Sequence, residues 1–150
     1  MNKSVSGEIV ALHQFFQHWF GGRCEESDAY FELHLRGRFA EDFRIVLPEG
    51  RLWQGDVLFA DMRHAHGTNP RLRIQIRNVE THVISKNSRL ILATYEEWQK
   101  NAMNSKPPNN ARLSTVLLRH DDAAPNGLLW LHVHETWLPE AVVALDPFAF

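Results

Sequence analysis

Residues 71–83 read RLRIQIRNVETHV, and the alternation at their start decides the fold. Leu72, Ile74 and Ile76 fall on one side of an extended chain, and Arg71, Arg73, Gln75 and Arg77 on the other. Strand side chains alternate between faces, so this is a half-buried antiparallel strand with a charged outer face. Toward the C-terminus the pattern continues. SKNS (85–88) makes a turn, RLILATYEEWQ (89–99) is a second strand, and NAMNSKPPNN (101–110) is a polar, proline-rich surface loop. ARLSTVLLRH (111–120) and LLWLHVHETWLP (128–139) follow, separated by DDAAPNG, so four strands in series read as a meander. The closing EAVVALDPFAF is apolar for a free tail and is expected to pack back on the domain or on a partner.

Toward the N-terminus the period changes. Val5, Ile9, Leu12, Phe16 and Phe20 recur at spacings of three and four, which predicts a helix over 5–20, capped by Ser4 or Ser6 and ended by Gly21-Gly22. Ser27 is placed as the cap of a second helical stretch, SDAYFELHLRGRFAEDF, with a bend at Gly37. FRIVLP (43–48) and RLWQG (51–55) are short strands, and Asp56 is read as the cap of a third helix, VLFADMRHAH. Helices first and a strongly curved antiparallel sheet last make an α+β domain. With 150 residues the chain is read as one domain, its core spanning about 5–138 with an apolar tail over 139–150.

Composition removes several function classes. Sixteen Lys and Arg against eighteen Asp and Glu give −2, without the basic excess of a nucleic-acid binder. The single cysteine, Cys24, excludes internal disulfides and reads as an incidental free thiol. No run of 18 apolar residues suits a membrane span and no signal peptide is read, so a cytoplasmic location is expected. Nine Phe, five Trp, two Tyr and nine His are the unusual feature, and they point to a ring-lined pocket.

On the last strand, strict alternation puts Trp130, His132, His134 and Thr136 on one face and Leu131, Val133, Glu135 and Trp137 on the other. Imidazoles that titrate near neutrality are natural proton carriers if their face lines a pocket, and otherwise make structural hydrogen bonds. Two histidines two apart on a strand also suit a metal, with His34, His64 or His66 as third ligand, but no metal or cofactor is expected. Tyr30 and His34, four apart on a helix, are candidates to face the same pocket beside Trp19. Glu80 and His82 continue the parity of the apolar face of 72–76, either as a buried base or beyond the rim. Tyr95, Glu97 and Gln99 share one face of their strand, Thr94, Glu96 and Trp98 the other, and parity leaves open which looks inward. Arg73 and Arg77 form a row suited to an anion, a dimer contact or solvent.

The order of elements and the closing His132-Val-His134-Glu-Thr136 resemble the nuclear transport factor 2-like, or SnoaL-like, superfamily. Its ketosteroid isomerase-like fold is a cone, and the association domain of calcium/calmodulin-dependent protein kinase II ends similarly. The tryptophan of that pattern falls on Leu128 here, with Trp130 displaced by two. The resemblance implies a cone-shaped half-barrel around a deep pocket, pairing as a homodimer through the sheet, and no membrane or nucleic-acid partner. It implies a small hydrophobic or amphipathic ligand. One reading is a cofactor-independent isomerase or lyase with His132, His134, Tyr30 and His34 catalytic, and Trp19, Trp130, Thr136, Glu80 and Tyr95 lining the pocket. The other is a non-catalytic binding or oligomerisation module.

Overall fold

A computed structural model describes residues 2–84, 87, 89–145 and 148–150. Helix α1 (Asn2–Phe20) forms because Val5, Ile9, Leu12, Phe15 and Trp19 make one buried stripe. Ser4 and Ser6 lie inside it rather than at its cap. It ends where Gly22 takes a φ of +69° and Arg23 N–H returns to the His18 carbonyl at 2.9 Å. Ser27 caps α2 (Asp28–His34), accepting from Tyr30 N–H at 3.1 Å.

The second helical stretch is far shorter than its spacing predicts. After α2 comes a single 3-10 turn, Arg36–Arg38, and then β1 (Phe39–Val46). Phe39, Phe43 and Ile45 point inward from that strand. β2 (Leu52–Gln54) pairs with it antiparallel, and α3 (Gly55–Arg63) packs Phe59 against Phe39 and Phe43. Asp56, the expected cap, sits instead in the first turn of α3, two residues past the cap position that Gln54 fills.

The meander is β3 (Arg73–Val83), β4 (Leu90–Lys100), β5 (Asn110–His120) and β6 (Leu128–Trp137). The expected turn at Ser85, Lys86 and Ser88 lies outside the described residues. β1 docks parallel on β6, so the sheet is mixed, with the order β2-β1-β6-β5-β4-β3, and it does not close. The helices cover one face, and the core lies between α1 and the inward rows Ile91–Leu118–Trp130 and Ala93–Val116–Val133. On the outer face the tail runs back past α4 (Glu140–Ala144), bringing the Phe148 ring to 5.2 Å from Trp98. No helix of the described residues is long and apolar enough to cross a membrane. This is the nuclear transport factor 2-like α+β cone.

Candidate functional site

Two extra residues decide which side chains meet. In β6, Leu118 pairs with Trp130 but Leu117 pairs with His132, so Leu131 is a bulge and the parity flips behind it. Leu128, Trp130, Val133 and Glu135 are buried on the inner face, while His132, His134 and Thr136 share rows with Leu117, Thr115 and Leu113 on the outer one. The sheet therefore separates His132 and His134 from Trp130 and from the helices. In β3 the register shifts between Arg77 and Glu80, where Asn78 has a φ of +54°. Val79 packs toward the core behind that bulge, and Glu80 and His82 are exposed.

The remaining expected residues scatter. Tyr30 and His34 meet each other on α2, ring centroids 4.1 Å apart, with Tyr30 also stacked on Phe15. They sit on the helical side, across the sheet from the outward histidines. Trp19 is fully buried and donates its indole N–H to the Met62 carbonyl at 2.8 Å. Tyr95 is buried on the inner face between His13 and Trp130. Among the described residues no three of His, Cys, Asp and Glu gather in a way that could hold a metal ion.

What the fold does gather is a chain of charge on the inner face. His13, one turn beyond Ile9 on α1, donates Nδ1–H to the Ile9 carbonyl at 2.7 Å and meets Glu97 Oε1 through Nε2 at 3.0 Å. The other oxygen of Glu97 accepts from Gln99. Across the β4–β5–β6 rows, Glu97 lies opposite Arg112, which lies opposite Trp137, and Tyr95 lies opposite Ser114 and then Glu135. Arg112 Nη1 reaches Glu135 Oε1 at 3.3 Å, and Nη2 reaches Asn110 Oδ1 at 3.2 Å.

The two carboxyls are driven apart by their surroundings. Burial would raise both. At Glu97 the His13 charge and hydrogen bond, with Arg112 and Gln99, outweigh it and hold the carboxyl low, at about 2. At Glu135 burial prevails, because Arg112 is partly offset by the neighbouring Glu97, and the carboxyl is pushed up to about 7. Burial works against a charged His13, yet the Glu97 charge and hydrogen bond raise its pKa on balance. Tyr95 is driven well up by burial and by both carboxylates.

Above this chain a cavity of about 400 Å³ opens to solvent. Leu47, Pro48 and Glu49 enter it from the β1–β2 turn, Asn104, Ser105 and Lys106 from the β4–β5 loop, and Arg112 and Trp137 from the sheet. Trp137 is 40% exposed, and its ring lies 4.9 Å from the Arg112 guanidinium. His13, Arg112 and Glu135 are the site residues that strand parity alone does not single out. Their signal is a polar residue inside an apolar stripe: His13 between Ile9 and Phe16, and Glu135 two after Val133.

Residues 5–139 match the family model described as sucrose-6-phosphate phosphohydrolase C-terminal. Sucrose-phosphatase 2 of Nicotiana tabacum is 26% identical over 140 residues, covering 91% of this chain and 31% of that protein. The chain thus spans about a third of the curated relatives it matches. A solved nuclear transport factor 2-like protein of unknown function from Pseudomonas aeruginosa is 29% identical, with a TM-score of 0.72, covering 91% of this chain and 99% of that one. The association domain of the C. elegans calcium/calmodulin-dependent kinase II shares the fold at 14% identity, TM-score 0.59, covering 90% of this chain and 97% of that one. A family model that spans nearly the whole folded chain leaves one assignment: the chain belongs to the sucrose-6-phosphate phosphohydrolase C-terminal family.

Proposed function

We propose that this chain is a binding module that holds a small hydroxylated ligand of the sugar class at the open end of the cone, without turning it over. One observation carries the reading. The cavity sets an exposed indole beside amide, hydroxyl and cationic side chains, namely Trp137 with Asn104, Ser105, Lys106 and Arg112. An aromatic face with a few placed polar groups suits a ring that is apolar on its faces and hydroxylated at its edge. The polar lining favours such a ligand over a purely hydrophobic one. The names of the matched relatives point the same way, toward sucrose and its 6-phosphate. The buried charges are largely paired with one another, which suits a scaffold under the ligand better than a set of reacting groups. Residues 5–138 form the unit that does this.

Titration of the protein with sucrose, glucose and their 6-phosphates, followed by tryptophan fluorescence and calorimetry, tests the reading. Binding with a Kd of roughly 10 μM to 1 mM is expected, with a loss of at least about tenfold in Trp137→Ala. No binding of any of these at ~10 mM overturns it. The module also pairs with a second copy through the outer face, where Leu52 and Leu113 are exposed. A monomer mass by sedimentation at tens of micromolar overturns that part. A second reading, proton transfer on the bound ligand, rests on Glu135, which touches the cavity-wall Arg112 at 3.3 Å and has its carboxyl pushed up to about 7. Turnover that Glu135→Gln abolishes is its expected signature.

A further inference from the structure

Arg112 is a cation with only 11% of its side chain exposed, and its donors are poorly answered. A guanidinium carries five N–H donors. Here Nη1 and Nη2 make two long hydrogen bonds, 3.3 Å to Glu135 and 3.2 Å to Asn110, and the buried Nε has no partner among the described residues. Charge-assisted bonds in a settled pair are shorter, about 2.7–2.9 Å. A buried donor left open calls for an explanation, and an acceptor brought by a ligand supplies one. Arg112 also forms part of the cavity wall, where Lys106 is a second cation against the single carboxylate of Glu49.

Resting on the binding reading above, we infer that the cavity takes an oxyanion-bearing ligand, a sulfate or phosphate ester, which draws Arg112 away from Glu135 and leaves Glu135 to take up a proton from solvent.

The proton follows from what surrounds Glu135. It is faced by Arg112 from β5, by Glu97 and Tyr95 from β4, and by His13 from α1. His13 is engaged by Glu97, so Arg112 is the one cation in direct contact with Glu135 among the described residues. With Arg112 committed to an anion, Glu135 is a buried carboxylate beside the Glu97 carboxylate. Two such groups do not both stay ionised. Glu97 keeps its charge through His13 and Gln99, so the proton goes to Glu135. No bond is made or broken except that to this proton, which bulk buffer supplies.

The test uses the whole chain and glucose 6-sulfate, an ester whose own charge is fixed near neutrality, with glucose as the neutral control. Calorimetry at pH 7.5 in two buffers of different ionisation enthalpy reads affinity and proton uptake together. Glucose 6-sulfate is expected to bind at least about tenfold more tightly than glucose, taking up about 0.5 to 0.75 proton per site, since about a quarter of Glu135 is already protonated at that pH. Glu135→Gln keeps the tight binding and loses the buffer dependence. Lys106→Ala, exposed in its loop, weakens the ester a few-fold, by about the worth of one screened charge, and leaves the proton uptake in place. Arg112→Gln removes the preference for the ester over glucose; should that variant fail to fold, Glu135→Gln and Lys106→Ala decide. Equal binding of the two sugars overturns the oxyanion inference and leaves the sugar reading standing. Tight ester binding with no buffer dependence overturns the role of Glu135. Failure of both sugars to bind removes the underlying reading itself.

Discussion

The protein buries an arginine–glutamate pair at each end of its cone, and the two are put together differently. At the end bearing the β5–β6 turn, Glu8 is fully buried and accepts from Arg38 Nη1, from Asn126 Nδ2 at 2.8 Å and from the Trp130 indole at 2.8 Å. Arg38 gives its Nε–H to the His34 carbonyl at 2.7 Å. At the open end, Arg112 and Glu135 make one long contact, an Arg112 donor is unanswered, and Glu97 competes for the same cation. Burying ions is tolerable only where geometry is good and the remaining lone pairs and protons are satisfied. The first pair meets that condition within the chain and acts as a rivet between α1, the segment before β1 and β6. The second meets it only in part, which is the difference expected between the proposed binding site and a joint.

The largest expected effect breaks the rivet. Glu8→Ala leaves Arg38 buried without its counter-charge and strips acceptors from Asn126 and Trp130, so a loss of about 3–5 kcal/mol is expected by urea unfolding. Sugar binding by the fraction still folded should be unchanged, since Glu8 lies away from the cavity. A change in affinity as large as the change in stability would erase the distinction between the two ends.

A smaller effect separates them by pH. Glu135 has a folded pKa raised from 4.5 to about 7, so the folded state holds more protons than the unfolded chain in that window. Stability therefore falls as pH rises from about 5 to 7, by up to roughly 1.4 kcal/mol per pH unit. His13, whose folded pKa is also raised, extends the fall as pH climbs through that value. Glu97 works in the opposite sense: held low at about 2, it contributes stability above 4.5 that is lost as pH falls toward 2. Maximum stability should thus lie near pH 5. Thermal melts across pH 3 to 8 check this, and Glu135→Gln should flatten the decline between 5 and 7 while leaving the acid side in place.

The same contrast explains what could be read from residues alone. The meander was legible because the alternation over 71–77 has no helical equivalent, and the apolar runs after it are bounded by turn residues at strand length. Only the second half of β1 was, inside the short strand read over 43–48; its start was taken for helix because Leu35, Phe39 and Phe43 are four apart, and residues four apart share a face in a strand as they do in a helix. The candidate site suffered more. One bulge residue, Leu131, turned His132 and His134 outward and brought Val133 and Glu135 in, and the shift after Arg77 did the same to Glu80. Parity is a local rule that an inserted residue reverses without trace in composition. Asn78 at positive φ is the visible cue, since asparagine tolerates that backbone better than most residues. The pairing of His13 with Glu97, 84 positions apart, depends on how α1 lies across β4, and no spacing encodes that.

The smallest effect on stability should come with the largest effect on binding, at Trp137. The residue is 40% exposed and its ring lies against Arg112, so truncation to alanine removes one cation–π contact and part of an apolar surface. A destabilisation of about 1 kcal/mol or less is expected. The side chain nonetheless supplies the cavity's one aromatic wall, and sugar affinity should fall at least about tenfold. Trp137→Phe should recover much of that loss if stacking is the contribution, while leaving the pH profile of unfolding unaltered, because Glu135 and Arg112 keep their places. If Trp137→Ala instead unfolds the protein as Glu8→Ala does, the open end is a second joint of the scaffold, and the cavity is a gap in packing with no ligand of its own.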